Sequence, residues 1–178
     1  LTAAFSPQSK EQLQDAVDKC IKMSPTGYCS NLQHGPMGKW DLSTIDDMRG
    51  LFYSASEFNY DLSKWDVSAV TGMTVMFADA SSFNQDVSKW DVSAVTDMGF
   101  MFFGASAFDQ DLSQWDVSAV TNMRSMFLQA KSFRRALCGV AWTDSKAVKT
   151  DMFRDSLGSI SSARECKKAR PSYGESGV

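Results

Sequence analysis

Three near-copies of one phrase follow each other without a spacer: FNYDLSKWDVSAVTGMTVMFADASS from Phe58, FNQDVSKWDVSAVTDMGFMFFGASA from Phe83 and FDQDLSQWDVSAVTNMRSMFLQAKS from Phe108. The period is strict. Trp40, Trp65, Trp90 and Trp115 stand 25 residues apart, as do Met48, Met73, Met98 and Met123, and Phe58, Phe83, Phe108 and Phe133. So short a unit is too small to enclose a core alone, so each must bury its apolar face against its neighbours. The recurring Trp, Phe and Met positions are therefore core candidates, with methionine filling gaps between rings.

The spacing inside one unit predicts its path. Leu62, Trp65, Val67 and Val70 suggest a short strand entered from a turn. Met73, Met76, Phe77, Ala80 and Phe83 fall at three- and four-residue steps, which suggests a turn or two of helix on the opposite side. Asn-Gln-Asp before the next unit is turn chemistry. The fold class expected is an α/β repeat solenoid, with the strands forming one parallel sheet at about 4.8 Å per unit.

Four segments follow from this pattern. Residues 36–135 are four 25-residue repeats. Residues 1–35 supply a capping helix, with Ser9 as N-cap and Leu13, Ala16, Val17, Cys20 and Ile21 on one face, followed by a loop. Residues 136–166 are a degenerate repeat and C-terminal cap, in which Met152-Phe153 keeps the Met-Phe pair. Residues 167–178 are read as a basic disordered tail. The chain starts at Leu1 rather than Met, as a mature or trimmed product would.

Charge divides the chain. Residues 36–120 hold 13 Asp/Glu and 4 Lys/Arg, a net −9, whereas residues 121–178 hold 11 Lys/Arg and 5 Asp/Glu, a net +6. An acidic body argues against nucleic-acid binding, which needs a basic face. The polarity fits head-to-tail contacts as well as a solvated surface with a basic end. No run of 18 apolar residues is present, so the chain is not expected to span a membrane.

All four cysteines lie outside the regular repeats: Cys20 and Cys29 before them, Cys138 and Cys166 after. Three pairings are open. Linear separation favours Cys20–Cys29 and Cys138–Cys166, one bridge per end, which implies an oxidising compartment. Zinc is disfavoured, because there is no Cys-x-x-Cys and His34 is the single histidine. No catalytic residue is assigned: Asp and Ser recur in every repeat, whereas a catalytic site is a unique constellation. The chain is expected not to be an enzyme and to carry no cofactor.

The polar positions between the apolar ones form candidate binding columns: Asp41, Asp66, Asp91 and Asp116; Ser43, Ser68, Ser93 and Ser118; and Lys64 and Lys89 beside them. Stacked carboxylates repel, so each Asp is expected to accept bonds from the Ser two residues on, helped by the lysines. Calcium is the alternative way to offset the repulsion.

The pattern W-D-[LV]-S-x-[VI]-x-x-M-x-x-[ML]-F-x-x-[AS]-x-x-F-[ND]-x-D-[LV]-S resembles the BspA-like leucine-rich-repeat surface proteins. In particular it is similar to the 25-residue repeat of mycoplasma lipoproteins and of secreted proteins of marine microalgae. The resemblance covers roughly residues 36–135. It implies right-handed leucine-rich-repeat-like units at a cell surface, in a secreted protein or in an oxidising organelle lumen. The function expected is a non-catalytic adhesion or interaction module that binds a protein or glycan through its sheet face. The alternative is a structural subunit of a larger assembly or a head-to-tail homo-oligomer.

Overall fold

The computed structural model describes residues 4–31, 33–162 and 164–166. The segment 167–178, read above as a disordered tail, lies outside the described residues.

Ser9 is extended, and its hydroxyl accepts the Gln12 N–H at 3.3 Å, which starts helix α1 (Lys10–Met23). Leu13, Ala16, Val17 and Cys20 are its buried face, while Ile21 is only partly buried. The helix lies against the first repeat. Gln14 Nε2 donates to the Leu51 carbonyl at 3.2 Å, and Lys10 Nζ stands 3.5 Å from the Asp47 carboxylate. A 3₁₀ turn, Met37–Lys39, leads into the repeats. After them come β1 (Ala136–Cys138), α2 (Val140–Thr143) and β2 (Ser159–Ser161), with β1 and β2 paired in parallel.

This corrects the expected fold class. The α/β leucine-rich-repeat solenoid with one parallel sheet is not what the chain forms. Within residues 36–135 there is no strand and no helix beyond the 3₁₀ turn, and the only sheet among the described residues is the two-stranded β1–β2 pair. Neighbouring repeats meet instead through single-residue parallel bridges, Asp47 to Gly72, Gly72 to Asp97, Asp97 to Asn122 and Asn122 to Val148.

The reason lies in turns. Where a strand was expected, Trp65 N–H bonds the Leu62 carbonyl at 3.0 Å and Val70 N–H bonds Val67 at 2.9 Å. Two consecutive β-turns thus produce the Leu-x-x-Trp-x-Val spacing. Where a helix was expected, Met76, Ala78 and Ala80 donate three residues back, to Met73, Val75 and Phe77. Val75 and Asp79 are left-handed, at φ 53° and 58°, which interrupts any helix. The intervening N–H groups of Met73, Val75, Phe77 and Asp79 reach the carbonyls of Asp97, Gly99, Met101 and Phe103 in the next repeat. Linked turns return an apolar residue to the core every three or four positions, as a helix does.

The core is built from aligned rings. Phe52, Phe77, Phe102, Phe127 and Phe153 stack with successive centroid separations of 5.3, 5.5, 5.6 and 5.6 Å. Phe58, Phe83, Phe108 and Phe133 stack beside them, 4.0–4.1 Å from their partners in the first column. Such offset pairs contribute about 0.5–1.5 kcal/mol each beyond the area they bury. The indole N–H groups of Trp65, Trp90, Trp115 and Trp142 donate to the carbonyls of Met37, Leu62, Val87 and Leu112 at 2.9–3.1 Å. Each indole thereby ties its own segment to the preceding one.

Candidate binding face

Asp-Val-Ser recurs because each Asp opens a turn. The Oδ1 atoms of Asp66, Asp91 and Asp116 accept the N–H of Ser68, Ser93 and Ser118 at 3.0–3.1 Å, and Asp41 accepts that of Ser43 at 3.1 Å. The Ser68 and Ser93 hydroxyls add bonds of 2.6 Å to the same oxygens. Among the described residues, Oδ2 of Asp66, Asp91 and Asp116 accepts no bond, and the side chains are exposed. The arrangement is therefore a repeated carboxylate with one oxygen fixed and one turned to solvent.

These bonds hold the four carboxyls below the ordinary aspartate range, chiefly through the serine hydroxyl and then through its N–H. For Asp66 the like charges of Asp91 and Asp41 act in the opposite direction and are outweighed. The face therefore stays anionic well below neutral pH.

All ten candidate residues, Asp41, Ser43, Lys64, Asp66, Ser68, Lys89, Asp91, Ser93, Asp116 and Ser118, are exposed. They lie on turns, so the sheet face on which they were placed does not exist. The lysines are also assigned differently. Asp61 and Asp86, which open the preceding turns by accepting the N–H of Ser63 and Ser88 at 2.8 and 2.9 Å, are held below the ordinary aspartate range first by those serines and then by the charges of Lys64 and Lys89. Those lysines are not among the groups that act on Asp66 or Asp91. Among the described residues, no three His, Cys, Asp or Glu side chains are grouped to hold a metal ion.

A second polar row is more than the turn chemistry read from its sequence. Asn59 Oδ1 accepts the Asn84 N–H at 3.0 Å, Asn84 Oδ1 accepts that of Asp109 at 2.9 Å, and Asp109 Oδ1 that of Arg134 at 3.0 Å. Gln85 and Gln110 each bridge back to the carbonyl of the same Asn at 2.9 Å. Arg135 ends the row, with its guanidinium 3.0 Å from Asp109 Oδ2. The recurrence of Asn or Asp at 59, 84 and 109, with Gln following at 85 and 110, was the available signal.

At the two ends, Cys20–Cys29 and Cys138–Cys166 are disulfide-bonded. His34 packs tilted against Phe5, with ring centroids 3.7 Å apart, and lines an apolar cavity of about 340 Å³ with Met23 and Trp40. No helix among the described residues is long and apolar enough to cross a membrane.

The profile of the family described as "Mycoplasma protein of unknown function, DUF285" matches residues 21–155. The chain belongs to that family. No curated protein and no solved structure matches it.

Proposed function

We propose that this family member is a non-catalytic interaction module of a cell surface or an oxidising lumen, and that its Asp-x-Ser face binds a protein or glycan. The observation that carries the reading is the fixed carboxylate repeated at Asp41, Asp66, Asp91 and Asp116, all exposed. One pre-bonded oxygen holds each side chain in a single orientation, so a ligand orders little on binding. A free oxygen at Asp66, Asp91 and Asp116 suits a partner with recurring donors, such as the hydroxyls of a polysaccharide. Two disulfides favour an extracellular or lumenal site. The resemblance of the repeat to BspA-like surface proteins supports the same reading.

Asp66→Asn, Asp91→Asn and Asp116→Asn combined would test it. Asparagine keeps the oxygen that accepts the serine N–H and removes the charge. On a polysaccharide array and on extracts of native surface proteins, the variant should lose binding at least about tenfold, with an unchanged melting temperature. Wild-type binding that survives the triple substitution, or no wild-type binding to either probe, refutes the reading.

A second reading, a structural subunit or head-to-tail homo-oligomer, draws on the exposed apolar residues. Met23, Tyr28 and Tyr53 lie in or near the N-terminal end segment, and Val140, Val148 and Leu157 at the other end, with none between. Exposed apolar groups confined to the ends suit end-on contacts.

A further inference from the structure

Each repeat hands four backbone N–H groups to the next. Met48, Gly50, Phe52 and Ser54 donate to the carbonyls of Gly72, Thr74, Met76 and Ala78 at 2.8–3.0 Å. The last such set, Met123, Ser125, Phe127 and Gln129, donates to Val148, Thr150, Met152 and Arg154 at 2.8–2.9 Å. Residues 148–155 reproduce the same backbone. Met152, Arg154 and Ser156 close turns on Lys149, Asp151 and Phe153, and Asp151 and Asp155 are left-handed at φ 55° and 57°. The N–H groups equivalent to the donors above are those of Lys149, Asp151, Phe153 and Asp155. Among the described residues none of these four has a hydrogen-bond partner.

Three further observations mark this edge as open. Phe153 is the last ring of its column and is only partly buried, whereas Phe52, Phe77, Phe102 and Phe127 are at most 1% exposed. Val148 and Leu157, on either side of the row in sequence, are 54% and 71% exposed. The opposite end is closed by α1, through Gln14 on the Leu51 carbonyl and Lys10 on Asp47. In a second copy the Leu51 carbonyl of the first repeat is already engaged by α1.

We propose that residues 149–155 form a docking edge for a polypeptide segment of a partner protein. The segment pairs alternate backbone carbonyls with the N–H groups of Lys149, Asp151, Phe153 and Asp155, and lays an aromatic or methionine side chain on Phe153. Main-chain bonds supply affinity and the side chain on the ring supplies selectivity, as when a strand is added to an open edge. Donors alone line the row, so the partner must present acceptors at every second residue, which a backbone of this same turn path does. The docking is independent of the Asp-x-Ser face.

The test is amide hydrogen exchange by NMR on the full labelled chain, with a synthetic peptide of residues 71–83 (TGMTVMFADASSF) as probe. That segment already offers the carbonyls of Gly72, Thr74, Met76 and Ala78 to the first repeat. In the chain alone, the amides of Lys149, Asp151, Phe153 and Asp155 should exchange at least about tenfold faster than those of Met123, Ser125, Phe127 and Gln129. Saturating peptide should slow the four by about tenfold or more, and Phe153→Ala should weaken peptide binding by about tenfold. Unchanged protection of residues 98–104 in that variant verifies that it is folded, and the wild-type measurement stands without it. The proposal is overturned if the four amides are already slow in the chain alone, because its own residues then close the edge. It is equally overturned if the peptide leaves them fast, or if a scrambled peptide protects them as well.

Discussion

Opening the C-terminal disulfide should cost more stability than opening the N-terminal one. The bridges close loops of different size, with separations of 9 residues for Cys20–Cys29 and 28 for Cys138–Cys166. Loop-closure entropy then gives about 2.6 kcal/mol for the shorter and about 3.6 kcal/mol for the longer. For a chain of this size, about 2–4 °C of melting temperature corresponds to each kcal/mol, so the losses are about 5–10 °C and about 7–14 °C. Burial points the other way. Cys20 and Cys29 are 1% and 4% exposed, within the packed contact between α1 and its following loop, whereas Cys138 and Cys166 are half-buried. The comparison therefore decides which effect dominates. Two variants, Cys138→Ala with Cys166→Ala and Cys20→Ala with Cys29→Ala, each keep one bridge. Each is melted by scanning calorimetry in its oxidised and reduced forms, so that side-chain volume is matched within a pair. A smaller drop on reducing Cys138–Cys166 than on reducing Cys20–Cys29 would refute the loop-entropy argument and assign the larger share to native packing around α1.

Two other outcomes are expected. Thr74 Oγ1 is buried with no partner among the described residues, so Thr74→Val, nearly the same shape without the hydroxyl, should raise stability by about 1 kcal/mol in urea unfolding. Asp47 is held down to about 2, first by its hydrogen bond from Arg49, with further help from the Arg49 N–H and the Lys10 charge, against the cost of burial. Its folded value lies below the ordinary 3.8, so its contribution is complete above about pH 4 and disappears as pH falls through about 2. Asp47→Asn should flatten that part of the stability–pH curve, and an unchanged slope between pH 4 and 2 would count against the assignment.

The identity of the core was legible in the sequence and its backbone path was not. Phe77, Phe83, Trp90 and Met98 announce burial because the same residue returns at the same place in each repeat, where its neighbours are copies of itself. Periodicity, however, reports only how often a side chain faces inward. Met73, Met76, Phe77 and Ala80 have helical spacing, yet linked turns give the same spacing. The distinguishing clue was local. Gly50 and Gly104 occupy left-handed positions, at φ 71° and 65°, equivalent to those of Val75 and Asp79, and glycine in such a place points to a turn rather than a helix. The candidate face was legible in part. Asp-x-Ser indicates a self-bonded carboxylate wherever it stands, but the partner of each lysine depends on the turn between Asp61 and Asp66. The Asn59–Asn84–Asp109 row was legible as a recurring position, but its bonding was not, for a different reason. Asparagine in a turn usually bonds its own backbone, and nothing in one repeat shows that it bonds the next.

The indole bonds give the molecule a built-in optical ruler. The five tryptophans stand at successive junctions: Trp40 bonds the carbonyls of His34 and Gly35, and Trp65, Trp90, Trp115 and Trp142 bond Met37, Leu62, Val87 and Leu112. An indole that leaves such a bond for water shifts its emission to the red, so each reports whether its own junction is closed. Chains that retain one tryptophan, with phenylalanine at the other four positions, would read out unravelling junction by junction, from the end where it begins to the end where it stops.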